Sequence, residues 1–447
     1  MRITDTAGSH QVRSGAVSLL IGSCLRWGDV DSTNRRSPRA TPTTRGTRTS
    51  AMATRTTTTR TTSFALGPSA DQSGADRASF EEVVAAYFDC RRRKRNTHSA
   101  LVFEQQLERN LRELYDELMD GSYRPGRSIC FVVTRPKPRE VWAADFRDRV
   151  VHHLLYNRIA PRFYASFIAD SCACIPGRGT LYAAQRLEAK VRSITQNWSR
   201  PAWYLKCDLA NFFVSIDKTV LRKELAERVT EPWWMALTDL VLMHDPRPDV
   251  IMQAPSALMA LVPPHKSLLN QPAHRGLPIG NLSSQFFANV YLDVLDQHVK
   301  HRIGARHYIR YVDDFVILHE SPQWLSTAHA QIEAFLPRRL GARLNPSKTI
   351  LQPVPRGIDF VGQVIRPWAR HTRPRTLNVG TRRLAEMPSR DVFAAVNSYF
   401  GLVRQATASH VARARMAKVI RSRGHAVDFG LTKAYRRPIT QNKESEQ

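Results

Sequence analysis

Apolar residues Phe103, Leu107, Leu111, Leu114 and Leu118 recur at three- and four-residue spacing from Ser99 onward, and Gly121 follows them. That periodicity predicts one amphipathic helix with a glycine stop. A Pro-broken loop or strand from Lys137 leads through Arg149 into a second helical pattern at Val150, Leu154 and Ile159. Tyr182 to Ile194 reads as a helix, Trp203 to Asp208 as a strand, and Asp217 to about His244 as a helix. Residues 245–275 are Pro-rich and irregular and read as an insertion loop, a length usually functional or mobile. After the turn Gly276 to Gly280 comes a helix, Ser283 to Lys300, whose Leu282, Phe286, Asn289, Tyr291 and Val294 form no single stripe, so packing on more than one side is expected. Two β-rich runs follow, His307 to Tyr311 and Phe315 to Leu318, then an amphipathic helix from Trp324 to Leu340. Beyond Arg366 a helical pattern recurs around Val392, Val396, Tyr399 and Leu402.

Residues 1–75 break this patterning. They are rich in Thr, Arg, Ser and Gly, with Thr41 to Thr62 close to low complexity, and the expectation is disorder for want of a core. Met52 offers an internal start, and a dispensable extension is favoured over an organelle transit peptide. The last ten residues, 438–447, are polar and expected to fray. The 447 residues carry a net charge of +27, with Lys and Arg spread along the chain. Such an excess favours a polyanionic partner, because neutralising phosphates releases condensed counterions. A membrane is the weaker partner, since no apolar run approaches the roughly 20 residues that span a bilayer. Six cysteines without zinc-like spacing fit buried thiols in a reducing, cytoplasmic setting.

The chemistry concentrates where the two β-runs meet. They flank Asp313-Asp314, which reads as a hairpin with adjacent carboxylates at its tip. Asp is also simply a good turn residue, and a strand-end Asp208 can be a turn former or helix N-cap. Neighbouring carboxylates repel and raise one another's pKa unless a cation lies between them, and a few oxygen ligands with room for phosphates suit Mg²⁺. A third acid, from Asp208, would complete a two-metal site, whose ions stand about 4 Å apart. Lys137 and Arg139, two apart on a hairpin, would face the same side and could hold a triphosphate, or line a solvated edge. Arg91 to Arg95 is a basic cluster, read equally as a helix face or an RNA contact.

Tyr311-Val312-Asp313-Asp314, Asp208 with Phe213 five residues on, and Gly276-Leu-Pro-Ile-Gly-Asn-Leu-Ser-Ser-Gln285 between them resemble the palm motifs of reverse transcriptases, in the family's order. The combination Ile279-Gly280 with Ser284-Gln285 resembles the reverse transcriptases of diversity-generating retroelements. The resemblance spans about Tyr87 to Arg437 and implies an α+β right-hand fold. Fingers would take 76–200, a palm with an antiparallel sheet 201–365 with the insertion 245–275, and a helical thumb 366–437.

The resemblance implies Asp208, Asp313 and Asp314 as catalytic acids, and Asp208, Leu209, Asp313 and Asp314 as ligands of two Mg²⁺ ions, with Mn²⁺ a possible substitute. Lys137, Arg139, Phe213, Ile279, Gly280, Gln285 and Lys348 are the implied nucleotide-site residues. Phe213 would close on the sugar C2′, or merely pack the core. Gly280 and Ser284 would lie against the template pair, and Lys348 near the incoming phosphates. Glycines of Gly177-Arg178-Gly179 would let backbone approach a strand, and Gly362 of Asp359-Phe-Val-Gly would permit a tight bend. The implied activity is RNA-directed DNA synthesis from template RNA, primer and dNTPs, with adenine-directed mutagenesis and a small basic accessory protein. Alternatives are a retron-like or antiphage-defence reverse transcriptase, and a dead polymerase fold serving as a nucleic-acid scaffold.

Overall fold

The computed structural model describes residues 76–92, 97–135 and 137–436. The expectations for 1–75, for Arg93 to Arg95 and for the C-terminal tail therefore lie outside the described residues. The chain opens with helices α1 (Phe80–Arg91), α2 (His98–Glu104) and α3 (Leu107–Asp120), then strands β1 (Ile129–Val133) and β2 (Arg139–Ala143). Next come α4 (Phe146–Tyr164), α5 (Thr180–Ile194), β3 (Trp203–Asp208), α6 (Lys218–Ala226), α7 (Pro232–Met243), β4 (Ile251–Met252) and α8 (Leu282–Gln297). Then follow β5 (His307–Tyr311), β6 (Asp314–His319), α9 (Pro322–Leu340) and β7 (Ile350–Pro353). A small sheet of β8 (Ile358–Phe360), β9 (Gln363–Arg366) and β10 (Ala369–Thr372) leads to α10 (Pro374–Glu386), α11 (Ser389–Val403), α12 (His410–Ser422), β11 (His425–Val427) and β12 (Ala434–Arg436).

The central sheet is antiparallel, in the order β5-β6-β3-β7. Its two-residue alternation splits the side chains between two cores. Leu205, Cys207, Phe315 and Ile317 join the large cluster that includes Leu325, Ile332 and Leu336 of α9 and most of α8. Tyr204, Val316, Leu318 and Ile309 face the opposite side, against Ala183, Leu187, Val191 and Ile194 of α5. The sheet is thus covered on both faces, and one of its ends carries the acids. The C-terminal helices gather a third core of their own around Leu384, Val396, Phe400 and Met416.

The expected single helix from Ser99 is two, broken at Gln105-Gln106, where Gln106 takes φ −133° and ψ 53°. The break lets Phe103 turn inward, 6.3 Å from Tyr87 and 5.4 Å from Phe146 between ring centres. Gly121 ends α3 at φ 77°, as its position predicts. The expected helix 217–244 is likewise two. Pro232 forces its predecessor Glu231 out of helical space, to ψ 125°, and starts a new helix at its own first turn. Helix α8 is buried at Phe286, Phe287, Asn289, Tyr291, Leu292 and Asp296, on several sides as its missing stripe implies.

The insertion is not a free loop. Its strand β4 adds to β1 in parallel, and Leu268 packs with Cys130 and Trp142. Buried Glu140 of β2 ties it down, accepting from Leu268 N at 2.9 Å, from Trp142 Nε1 at 3.1 Å and from Ser267 Oγ.

Candidate active site

Strand β3 lies opposite β6 in register from Trp203↔His319 to Asp208↔Asp314, so Asp208 and Asp314 face each other across the ladder. Strands β5 and β6 are joined by two residues only, Val312 and Asp313, with Tyr311 paired to Asp314. Asp314 therefore begins a strand, whereas the sequence reading placed both acids in the turn. Asp313 alone is at the tip, and its carbonyl accepts from Leu209 N at 3.2 Å. Val312 adopts φ +55°, a left-handed conformation that a β-branched residue rarely takes.

A buried network holds that turn from behind. Arg310 and Asp296, 1% and 0% exposed, form a two-pronged ion pair with both contacts at 2.7 Å. Tyr308 donates to Asp296 at 2.6 Å, while Arg310 donates to Ser171 Oγ at 2.9 Å and to the Val312 carbonyl at 3.0 Å. A desolvated pair is tolerable only when its remaining donors and acceptors are satisfied, as they are here. Sequence reasoning missed it. The signal was an Arg inside an otherwise apolar and aromatic strand, which needs an internal acid.

Around the acids, Lys348 Nζ meets Asp208 Oδ1 at 2.5 Å, and Asn345 N donates to the Asp208 carbonyl at 2.8 Å. Lys206, on the same face of β3 two residues before Asp208, reaches the Asp359 carbonyl at 2.8 Å. Burial, then the charges of Asp208 and Asp314, push the Asp313 carboxyl up to about 6. Burial also raises Asp314, with Lys206 opposing and Asp208 adding to the effect. The sequence reading did not include Lys206 or Asn345.

The middle motif closes one side of the site. Leu277 N donates to the Phe213 carbonyl and Gly276 N to the Ile216 carbonyl, both at 2.9 Å. Phe213 sits half-buried on a short helical turn, edge-on to Phe212 at 5.3 Å. The Ile279 carbonyl accepts from Trp142 N at 2.7 Å, and Asn281 Oδ1 accepts from Ala144 N at 3.2 Å. Gly280 has φ +135°, and a Cβ there would stand 2.6 Å from the Trp142 carbonyl. Its close approach is thus to strand β2, and Ser284 is buried within the protein. Gln285 is half-buried at the start of α8.

Lys137 and Arg139 are both exposed and make no side-chain hydrogen bond or ion pair with another described residue. The same-face argument fails for them, because β2 starts at Arg139 and Lys137 lies in the preceding turn. Gly177 serves its own φ of +75° and not a close approach, since a Cβ at Gly177 or Gly179 would meet nothing within 4 Å. Gly362, at φ +84°, makes the expected bend between β8 and β9. Arg91 of the basic cluster is committed to Glu104, with Nη2 to Oε2 at 2.7 Å. The cysteines among the described residues are free thiols, four of them buried.

Among the described residues no three His, Cys, Asp or Glu side chains converge as a ready-made metal cage. The donor set nevertheless suits a hard cation. It is all oxygen, the charges of Asp208 and Asp314 add to burial in raising the Asp313 carboxyl, and an ammonium group already stands against Asp208. No helix among the described residues is long and apolar enough to cross a membrane.

Residues 135–365, just over half of the chain, match the family model described as reverse transcriptase (RNA-dependent DNA polymerase). The chain belongs to the reverse transcriptase family. It is also 22% identical over 318 residues to Protein YkfC of Escherichia coli K12, covering 62% of this chain and 77% of that protein. Among solved structures it is similar to telomerase of Candida albicans, in complex with a fragment of telomeric RNA, at TM-score 0.42 and 12% identity over 72% of this chain. Apo telomerase of Candida tropicalis gives TM-score 0.39 and 12% identity over 54%. The chain spans 58% and 53% of those two telomerase chains. As a reverse transcriptase it has a mixed fold of helices and antiparallel sheets.

Proposed function

We propose that this reverse transcriptase copies an RNA template into cDNA by nucleotidyl transfer at Asp208, Asp313 and Asp314, within a diversity-generating retroelement. The observation that carries the catalytic reading is the ladder pairing of Asp208 with Asp314 and the turn that sets Asp313 beside them. Asp208, Asp313 and Asp314, with the Leu209 carbonyl, are the proposed holders of Mg²⁺ or Mn²⁺. Two such ions, when bound, lower the pKa of a primer 3′-OH and neutralise charge on the leaving pyrophosphate.

The chain's own residues supply the rest. Lys348, now held by Asp208, would offer its charge to an incoming phosphate. Lys137 and Arg139, free on the fingers edge, provide further charge for the triphosphate. Phe213 and Gln285 line the sugar and template sides. Template choice is left to base pairing, with the protein contacting backbone and shape.

The retroelement assignment rests on Ile279-Gly280 and Ser284-Gln285. An apolar Ile279 cannot make the polar contact that a Gln would offer to an incoming sugar. Such a contact is worth on the order of 1 kcal/mol, about fivefold in discrimination. The test is primer extension on one adenine-rich RNA, with cDNA from the parent chain and Ile279→Gln sequenced. Fewer errors opposite adenine in the variant support the assignment, whereas equal spectra from two active enzymes reduce the motif to a lineage marker. Lack of extension by the parent chain would favour the scaffold alternative. The small basic accessory protein is the proposed partner.

A further inference from the structure

We propose that the loop at the end of the C-terminal hairpin is a base-stacking contact for single-stranded nucleic acid, made by Phe429. This deepens the polymerase reading, because the ligand is that enzyme's nucleic acid. Strands β11 and β12 pair from His425↔Arg436 to Val427↔Ala434. Between them Phe429 stands fully in solvent, at 104% of its reference area, and it is the most exposed large hydrophobic residue among the described ones.

The loop around it is built, not slack. Asp428 accepts from Thr432 N, Lys433 N and Thr432 Oγ1, each at 2.7 Å, and its own N–H donates to the Lys433 carbonyl at 3.1 Å. Leu431 takes φ +53° and turns inward to 9% exposure, in the core of α10–α12. Arg413 of α12 donates to the Gly430 carbonyl and fastens the loop to the helix. The same loop therefore buries Leu431 and holds Phe429 outward, a hydrophobic exposure with no folding benefit.

The charge of the same helix and hairpin points to the partner. Arg415, Lys418, Arg421, Lys433 and Arg436 are exposed on α12 and the hairpin. The only acid in residues 410–436 is Asp428, which is spent on the loop. An aromatic ring held in a basic field fits a strand whose phosphates meet the cations while a base stacks on the ring. A membrane-binding surface needs a continuous apolar face, whereas the exposed Val411, Phe429 and Tyr435 are separated along the chain by the exposed cations Arg415, Lys418, Arg421 and Lys433.

The test is fluorescence anisotropy with a labelled 20-nucleotide oligo(rA) and no dNTPs, across a salt series. Phe429→Ala should weaken binding about 5- to 30-fold with an unchanged salt slope, since a stacking contact releases no counterions. Lys433→Gln should instead flatten the slope. Phe429→Trp should restore affinity and Phe429→Leu should not. Binding of Phe429→Ala within twofold of the parent, at equal melting temperature, overturns the proposal. So does full affinity of Phe429→Leu, or a loss seen only with anionic phosphatidylserine vesicles. Because no synthesis is measured, a chain that fails to extend primers yet loses oligo(rA) on Phe429→Ala refutes the polymerase reading and leaves this contact standing.

Discussion

At the scale of single residues, the site is a set of carboxylates that folding has placed too close for comfort without a cation. Asp208→Asn or Asp313→Asn is expected to lower Mg²⁺-dependent extension by at least about 10³-fold while leaving the melting temperature near the parent's. Near-normal extension by either variant would remove that residue from the catalytic set. The raised Asp313 gives a pH signature whose sign follows from linkage. Its folded value, about 6, exceeds the ordinary 3.8, so between those values the ion-free folded chain binds more protons than the unfolded one. Ion-free stability from this group is thus present below about pH 4 and is lost as pH rises through 6. Added Mg²⁺ should raise the melting temperature little at pH 5 and clearly at pH 7.5, and Asp313→Asn should abolish that difference.

Other residues were hidden from the sequence for a physical reason. The acids could be found because the β-runs around them are apolar and their spacing is short. Arg310 sits in one of those runs, β5, yet its partner Asp296 lies on a helix, and only the fold brings them together. Arg310→Met should cost about 3–5 kcal/mol by stranding a buried carboxylate, and Asp296→Asn in the same chain should return part of it. Urea unfolding of the two single variants and the double variant measures this. Strictly additive losses would mean that the pair is not coupled.

At the scale of elements, periodicity gave the strands and most helices, and it failed where a break falls inside a continuous pattern. Pro232 was visible and Glu231 before it has its extended backbone for that reason, but Leu107 continues the stripe of Phe103 across a break that only tertiary packing explains. The insertion was legible as irregular sequence and illegible as a brace. Glu140 reaches it from the strand that begins with Arg139, and Leu268 packs on Trp142 while standing in the way of any side chain at Gly276. The brace thus links the fingers hairpin to the motif 276–281. Glu140→Leu leaves three buried donors unmet, at about 1–3 kcal/mol each at most. Steady-state extension should show a several-fold higher KM for dNTP with a smaller change in kcat. A pure loss of kcat, with KM unchanged, would mean that the brace does not position the nucleotide side.

At the scale of the whole molecule, the mixed fold of helices and antiparallel sheets was legible from the patterning, while the joints between its parts were not. The sheet β8-β9-β10 crosses the expected palm–thumb boundary at 365/366, so the C-terminal helices hang from a hairpin rooted in the palm. Arg370 on β10 pins that joint. It is 4% exposed, pairs with Glu188 of α5 at 2.8 Å, and donates to Gln363 Oε1 at 2.8 Å and the Gln405 carbonyl at 2.9 Å. Arg373 adds a second tie, donating to Asp359 at 2.7 Å, beside the carbonyl that Lys206 grips from the catalytic strand. Because α10–α12 keep their own core, loosening the joint should not unfold them. Arg370→Met is expected to lower the melting temperature by several degrees and to shorten the cDNA made per binding event several-fold, while the rate of adding one nucleotide to a saturating primer–template changes little. Single-turnover addition and processivity with a heparin trap separate the two. An equal loss in both would place the effect in the active site, and an unchanged product length would show that Arg370 stabilises the fold without steering the thumb.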